Sequence, residues 1–287
     1  MKITKVKYSK IKSKKDKIKL IKKFNSSGVI IIEDVISKRK CESLKKILET
    51  TQKKFSKLYY GRKKVLKHSG HSGAKTVTNL HNKNSKFLEF LDKKIIFDLV
   101  QSILQQGSYM NKDPIICQAF TARSPLSGAD KQQLHNDARI VGSKYPMVVQ
   151  AMYAMDDFTK NNGATNFLLG SQRFLSFPKN NHNYKKLVLA EAKAGSVIIF
   201  NGATWHGSSK PLNFSGSRWA VICRYSRWFL KPIYNFVCNT PPKVFKEMNK
   251  KQKDLLGFRY HPPLDEFTGN RSIQKKYIKP VNYNLPK

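Results

Sequence analysis

The feature that most restricts the fold of this chain is a run of short apolar segments between residues 114 and 228. Glycine and asparagine separate these segments, most clearly in the KNNG sequence at 160–163, which is a strong signal for a tight turn. We predict strands at 115–123, 147–155, 166–169, 186–191, 196–200 and 219–225. Many short strands with turn residues between them are typical of a barrel or a jelly roll. The sequence therefore predicts a mainly β fold.

Helices are expected before these strands, on the outside of the barrel. Residues 28–32 read as a β-branched strand, and apolar residues then recur at helical spacing in 38–54 and in 87–105. Residues 61–85 are rich in glycine, serine, histidine and lysine, so we predict a long loop there. The chain shows no internal repeat and no second core, which favours a single domain.

The predicted domain boundaries follow composition. Lysine dominates residues 1–24, which we expect to be a basic lead-in that is frayed or weakly amphipathic. One domain then covers residues 25–287, with a jelly-roll core at about 114–228 and a C-terminal extension at 229–287. Two proline pairs and a lysine-rich helical segment mark this extension, and we expect it to pack against the barrel.

The formal net charge is +37, from 55 lysines and arginines against 18 aspartates and glutamates. A field of that sign attracts nucleic acid, anionic lipid or anionic substrates. The charge comes mainly from lysine and is spread along the chain, so we interpret it as compositional bias rather than as a dedicated polyanion site. We therefore expect a small-molecule substrate, with which an anionic group is compatible, and not a nucleic acid. The oligomeric state is not specified by these patterns.

The cysteines and the apolar segments bear on the compartment. The four cysteines lack the paired C-x-x-C spacing of zinc and redox motifs, and they are Cys41, Cys117, Cys223 and Cys238. We expect them to be reduced thiols in a cytoplasmic protein. The basic N-terminus lacks the apolar stretch of a secretory signal, and no segment approaches the roughly 18 apolar residues of a membrane span.

Two histidines and one aspartate form the most informative chemical pattern. His135 and Asp137 make an H-x-D motif, and His206 follows after a predicted strand–turn–strand block. If the motif lies on a strand, its two outer side chains point to the same face and reach one ion. Two imidazoles and one carboxylate form the facial triad of non-haem Fe(II) oxygenases, which leaves coordination positions open. We therefore predict that His135, Asp137 and His206 bind iron.

Three further residues are candidates for a dicarboxylic co-substrate. Arg218 follows His206 on the next predicted strand, where its guanidinium can form a fork of hydrogen bonds with a carboxylate. Ser208, two residues beyond the histidine, offers a hydroxyl to the same carboxylate. Gln118, on an earlier strand, is a weaker candidate. Together with the triad, these residues suggest an Fe(II)- and 2-oxoglutarate-dependent oxygenase.

The sequence resembles the phytanoyl-CoA dioxygenase family over about residues 24–228. The resemblance is carried, in the family's order, by HND at 135–137, DDFTKNNGAT at 156–165, LGSQ at 169–172, AGSVIIF at 194–200 and WHG at 205–207. It implies a double-stranded β-helix, the cupin-like form of the jelly roll, with flanking helices. It also implies that His135, Asp137 and His206 hold Fe(II) and that Arg218 with Ser208 binds 2-oxoglutarate. One departure is Gln172, where the family usually has a histidine that is not an iron ligand.

The resemblance implies oxidation chemistry that uses O2. We expect hydroxylation of a C–H bond in a small-molecule or lipid-type substrate, with release of succinate and CO2. One alternative is a jelly-roll binding protein without catalytic activity, which the complete set of ligands disfavours. Another is a nucleic-acid demethylase of the AlkB type, because Arg218 and Arg224 share the six-residue spacing of that group. The Asn and Thr expected between those arginines are missing here.

Overall fold

The computed structural model describes residues 1–60, 73–109, 112–212, 214–260 and 279–280. Within these ranges, ten strands form a seven-stranded and a three-stranded sheet. The strands are β1 Thr4–Lys7, β2 Val29–Glu33, β3 Ala74–Thr78, β4 Ile115–Pro125, β5 Val148–Ala154, β6 Thr165–Phe167, β7 Val188–Leu189, β8 Val197–Asn201, β9 His206–Ser208 and β10 Ala220–Arg227. The helices are α1 Lys14–Ser27, α2 Lys38–Tyr60, α3 Lys94–Leu104, α4 Phe236–Asn239, α5 Pro242–Glu247 and α6 Lys250–Leu255.

The two sheets face each other as a jelly roll, as the sequence predicts. The large sheet has the order β1-β2-β8-β5-β10-β4-β3, and the small sheet has the order β7-β6-β9. Strands β8, β5, β10 and β4 are successively antiparallel, although β8 and β10 are distant from β4 in sequence. The crossing of the chain between sheets gathers residues from distant segments at one end of the barrel.

Strand β2 shows how the cores are arranged on the two faces of the large sheet. Its first four residues are fully buried, and alternate side chains enter different clusters. Ile30 and Ile32 lie in the larger cluster, which also contains residues of helices α1, α2 and α3. Val29 and Ile31 lie in the smaller cluster between the sheets. Side chains alternate across a strand, so a continuous run of β-branched residues fits a strand that is covered on both faces.

Residues 1–24 were expected to be frayed or weakly amphipathic, and the structure shows a strand and an amphipathic helix there. Strand β1 pairs in parallel with β2 and so extends the large sheet. Helix α1 begins with a capping box between Ser13 and Asp16 and buries Leu20 and Phe24 against the core. The lysines lie on the exposed face of an amphipathic helix, and the strand depends on a non-local pairing, so composition alone did not reveal either element.

One other segment differs in part from the sequence-based expectations. Within the predicted loop 61–85, residues 74–78 form β3 and pair with β4, while residues 61–72 lie outside the described part of the chain. Within the described part of the C-terminal extension, Leu255, Leu256 and Phe258 pack against the barrel and join the larger core cluster. No helix among the described residues is long and apolar enough to cross a membrane. All four cysteines are free thiols.

Candidate active site

The inner face of the large sheet has three rows of side chains that run across β4, β10 and β5. Residues directly opposite each other in antiparallel strands share a face. The first row is Ala119, Arg224 and Gln150, the second is Thr121, Ile222 and Met152, and the third is Arg123, Ala220 and Ala154. Polar and charged groups therefore lie at both ends of this face, with a mainly apolar row between them.

His206 is held at the first-row end of the barrel. It begins β9, and its buried ring packs against Phe167 and Phe200, with ring centroids 5.7 and 4.8 Å away. Phe200 lies opposite Gln150 in the register of β8 and β5, which places the histidine beside the first row. The glycine of the WHG motif permits a close approach here, because a Cβ on Gly207 would lie 2.5 Å from the carbonyl oxygen of Gln132.

His135 is fixed beside His206 by the backbone. The two residues exchange N–H···O hydrogen bonds of 2.9 and 3.1 Å, and their ring centroids are 4.3 Å apart. In each ring Nδ1 lies close to a backbone carbonyl, that of Gln133 at 3.1 Å for His135 and that of Thr204 at 2.8 Å for His206. A carbonyl at Nδ1 favours the tautomer whose Nε2 is free to bind a metal.

Asp137 completes the group, although not as the strand alternation predicts. It lies in a turn, where its amide donates to the carbonyl of Gly202 at 2.8 Å. Its carboxylate lies 3.2 Å from Nε2 of His206 and 3.7 Å from Nε2 of His135. One donor atom from each of the three residues lies within 4.8 Å of the others, and no other such group occurs among the described residues. The structure therefore brings the three predicted ligands together.

The protonation states of His135 and Asp137 suit a divalent metal. Burial, together with smaller effects of His206 and Arg123, lowers the pKa of His135 to about 4, so its imidazole is neutral near pH 7. Burial by itself would raise the pKa of Asp137. The contact with His206 and the positive charge of Arg224 outweigh that effect, so its pKa is lowered. Neutral imidazoles and an ionised carboxylate are the forms that bind Fe(II).

Arg218 lies at the opposite end of the inner face, two residues before the third row. Its side chain is buried, its Nη2 donates to the carbonyl of Gly163 at 2.9 Å, and its guanidinium lies 4.5 Å from the ring centre of Phe158. Its Nε has no hydrogen-bond partner in the described structure. Burial and the charge of Arg123 lower its pKa to about 9, so it stays cationic near pH 7. A buried cation with a free donor suits a carboxylate ligand.

Ser208 and Gln118 are placed differently. Ser208 lies two residues after His206 on β9, so the two side chains point to the same face, and its hydroxyl accepts from the amide of Gln132 at 3.2 Å. Gln118 is the extra residue of a bulge in β4, and its amide donates to the carbonyl of Lys231 at 3.2 Å. No described hydrogen bond connects Gln118 with the triad, so the structure does not bring it together with the other candidates.

Three polar residues of the inner face were not predicted as site residues. Gln150 and Arg224 contact Asp137 from the first row, and Arg123 lies in the third row. The charge of Arg123 contributes to lowering the pKa of both His135 and Arg218. Strand alternation could have identified them. Each of these residues lies two positions from an inward-facing residue of the same strand and therefore shares its face.

The sequence profile of one family, phytanoyl-CoA dioxygenase (PhyH), matches residues 24–217. The chain belongs to the phytanoyl-CoA dioxygenase family. This match confirms the predicted non-haem Fe(II)- and 2-oxoglutarate-dependent dioxygenase, with Fe(II), 2-oxoglutarate and O2 as its cofactors. The match contains all three residues of the triad and ends directly before Arg218.

Relatives with similar sequences include characterised and uncharacterised proteins. An uncharacterised protein of Mycobacterium tuberculosis is 26% identical over 249 residues, which cover 85% of this chain and 88% of that protein. The Fe(II)/2-oxoglutarate-dependent dioxygenase nvfF of Aspergillus novofumigatus is 38% identical over 143 residues, which cover 46% of this chain and 45% of that protein.

Similar solved structures include HygX from Streptomyces hygroscopicus, determined with nickel, 2-oxoglutarate and hygromycin B bound. The TM-score is 0.57 at 14% sequence identity, and the match covers 76% of this chain and 89% of HygX. At that identity the likeness shows a shared fold, which confirms the predicted jelly roll.

Proposed function

We propose that this dioxygenase hydroxylates a C–H bond of a small-molecule or lipid-type substrate. In the reaction, 2-oxoglutarate, O2 and the substrate give succinate, CO2 and an alcohol. One oxygen atom enters the alcohol and the other enters succinate. The observation that carries the proposal is the placement of the His135, Asp137 and His206 group and of Arg218 at opposite ends of one inner face.

The two ends of this face would bind different groups, Fe(II) at one end and the far carboxylate of 2-oxoglutarate at the other. His135, Asp137 and His206 would hold Fe(II), which with 2-oxoglutarate supplies the activation of O2 and the oxidation of the substrate. Arg218 would bind the far carboxylate of 2-oxoglutarate, and the hydroxyl of Ser208 would add a hydrogen bond. A dicarboxylate that spans the two ends would lie over the apolar second row, which limits access of water to the reacting atoms.

Exposed apolar side chains at positions 174 and 175 support an apolar substrate. Phe174 is 44% exposed and packs edge-on against Trp205, which directly precedes His206, with ring centroids 5.1 Å apart. Leu175 is 81% exposed, and a Cβ on Gly142 would lie 3.1 Å from its Cδ2. The segment that follows Asp137 therefore meets an exposed apolar loop. Such a surface suits the hydrocarbon part of a substrate.

The first test of the proposal is anaerobic. Fe(II) and then 2-oxoglutarate are added to the protein, and the visible metal-to-ligand charge-transfer band is followed, with Asp137→Ala as the control. We expect a band in the parent and its loss in the variant. In air, succinate formation with candidate substrates is then measured, and mass spectrometry checks for a gain of one oxygen atom. A parent protein that gives no band and retains no iron would contradict the proposal.

A further inference from the structure

The orientation of Asp137 is not determined by a strand. The residue lies in a turn, and the amides of Asp137 and Ala138 both donate to the carbonyl of Gly202. These bonds fix the backbone of the turn but leave the carboxylate free to rotate about its side-chain torsions. His206 is fixed by ring packing and His135 by its bridge to β9. Asp137 is therefore the ligand that most needs other side chains to hold it.

Two residues from the large sheet contact Asp137. Gln150 on β5 and Arg224 on β10 lie directly opposite each other in the antiparallel register. The amide Nε2 of Gln150 donates to Oδ2 of the carboxylate, and Nη2 of Arg224 donates to the backbone carbonyl of Asp137. Nη1 of Arg224 lies 3.6 Å from Oδ1. The side chains of Gln150 and Arg224 thus contact both the carboxylate and the backbone of one turn residue.

Gln150 and Arg224 are both largely buried, so their polar groups depend on hydrogen bonds within the protein. Gln150 is 5% exposed, and the side chain of Arg224 is 15% exposed. A buried amide and a buried guanidinium need partners, and a carboxylate is the strongest acceptor available to them. Both groups project from paired, rigid strands of the barrel rather than from the turn itself. The pairing of β5 with β10 therefore fixes the backbone from which each side chain extends.

We propose that Gln150 and Arg224 are positioning residues that hold Asp137 as a metal ligand and set the metal affinity of the site. This inference rests on the proposed function, because it assumes that the triad binds a divalent metal. The amide of Gln150 occupies one lone pair of the carboxylate and restricts its rotation. Arg224 ties the turn to β10 and places a positive charge beside Oδ1. Hydrogen-bond partners of metal ligands typically contribute about 10- to 100-fold to metal affinity.

The test measures Ni(II) binding to the metal-free full chain by isothermal titration calorimetry. We expect Gln150→Met, which keeps the length of the side chain but removes the amide, to weaken Ni(II) binding about 10- to 100-fold. Gln105→Met is the matched control, since the amide of Gln105 donates to the carbonyl of Asp113 at 3.1 Å, away from the triad. The control should bind Ni(II) like the parent. Unchanged affinity in a folded Gln150→Met variant would overturn the inference.

Replacement of Arg224 distinguishes positioning from a purely electrostatic role, because the two roles predict opposite changes in Ni(II) affinity. If its charge only repelled the metal, Arg224→Met would bind Ni(II) more tightly than the parent. We expect Arg224→Met to bind Ni(II) more weakly than the parent instead, because the turn loses its hydrogen bond to β10. We expect Arg224→Lys to bind Ni(II) more weakly than Arg224→Met, because lysine keeps the positive charge but cannot form the fork of hydrogen bonds. Arg227→Met is the control, since that arginine on the same strand donates to the carbonyls of Pro146 and Gln106.

A double variant separates positioning from a loss of stability. If both residues act through Asp137, the double variant should lose less affinity than the product of the two single losses. Full additivity, or losses that follow the melting temperature of each variant, would contradict the inference. A parent protein that binds no Ni(II) would instead contradict the proposed function. A parent that binds, with both variants equal to it, would contradict only the role of Gln150 and Arg224.

Discussion

His135 and His206 exchange both of their backbone hydrogen bonds, although they are far apart in sequence. This bridge joins the H-x-D segment to the small sheet and sets the two rings side by side. The positions of the two imidazoles therefore depend on the backbone of the jelly roll more than on a bound metal. The relationship leads to different expectations for the two histidines when each is replaced.

Replacement of either histidine by alanine should abolish turnover, since each removes one of three metal donors. The stability of the two variants should differ. The side chain of His206 is 7% exposed and packs on two phenylalanines, whereas that of His135 is 34% exposed. We expect His206→Ala to lower the free energy of unfolding by about 2 kcal/mol or more, and His135→Ala to lower it by less. Urea unfolding measures both, and equal losses would contradict this assignment of packing.

Replacement of Arg218 by alanine should mainly weaken the binding of 2-oxoglutarate. Loss of one partner of a buried, hydrogen-bonded charge pair costs about 2–5 kcal/mol, which corresponds to at least about 30-fold in Kd. Anaerobic titration of the Fe(II) protein with 2-oxoglutarate measures this Kd through the charge-transfer band. Arg227→Ala is the control and should leave the Kd unchanged. If Arg218→Ala also left it unchanged, Arg218 would not be the carboxylate partner.

His81 should make the fold sensitive to acid. Its ring is fully buried and packs edge-on against Phe236, with centroids 5.1 Å apart, and burial lowers its pKa to about 3. The unfolded chain, with a pKa near 6.5, binds a proton in the window between about pH 6.5 and 3 that the folded protein does not. The free energy of unfolding should therefore fall with decreasing pH in that window, by at most about 1.4 kcal/mol per pH unit.

The acid sensitivity is checked by urea unfolding at several pH values in the parent and in His81→Leu. The variant lacks the titrating ring, so we expect its stability to depend less on pH between about 6.5 and 3. A variant with the same pH dependence as the parent would show that other groups cause the effect.

Gly28, at the end of α1, should not tolerate a side chain. It has a φ of 80°, and a Cβ there would lie 2.2 Å from Oγ1 of Thr204. We expect Gly28→Ala to lower the free energy of unfolding by about 1–3 kcal/mol through strain and overlap. Gly216→Ala is the control, because its φ is 96° but nothing lies within 4 Å of the added Cβ. Thermal unfolding should show a larger loss of stability for Gly28→Ala than for Gly216→Ala. Equal losses would mean that the overlap with Thr204 does not affect stability.

The sequence was most informative where a motif or a long apolar strand carries the signal. The three ligands were recognisable because H-x-D and the later histidine keep their residue types and order. The strands β4, β5 and β10 were predictable because each is long and apolar. Asp137 was expected on a strand but lies in a turn, so its approach to His206 depends on tertiary contacts.

The residues that were missed depend on register. Gln150 and Arg224 contact Asp137 because β5 and β10 pair at one particular offset, which no local pattern reports. The same holds for β1, whose pairing with β2 joins residues on either side of α1. The placement of Gln118 also depends on register, because it is the extra residue of a bulge and its amide donates to the carbonyl of Lys231.

The pairing of β1 with β2 also bears on solubility. Strand β2 begins with four consecutive β-branched residues, and β1 covers the edge that β8 does not. Removal of residues 1–24 as a dispensable tail would leave a row of unpaired backbone groups on a long apolar strand. An edge of this kind recruits strands from other molecules and nucleates aggregation. The lysine-rich beginning of the chain thus covers the edge of an apolar, β-branched strand.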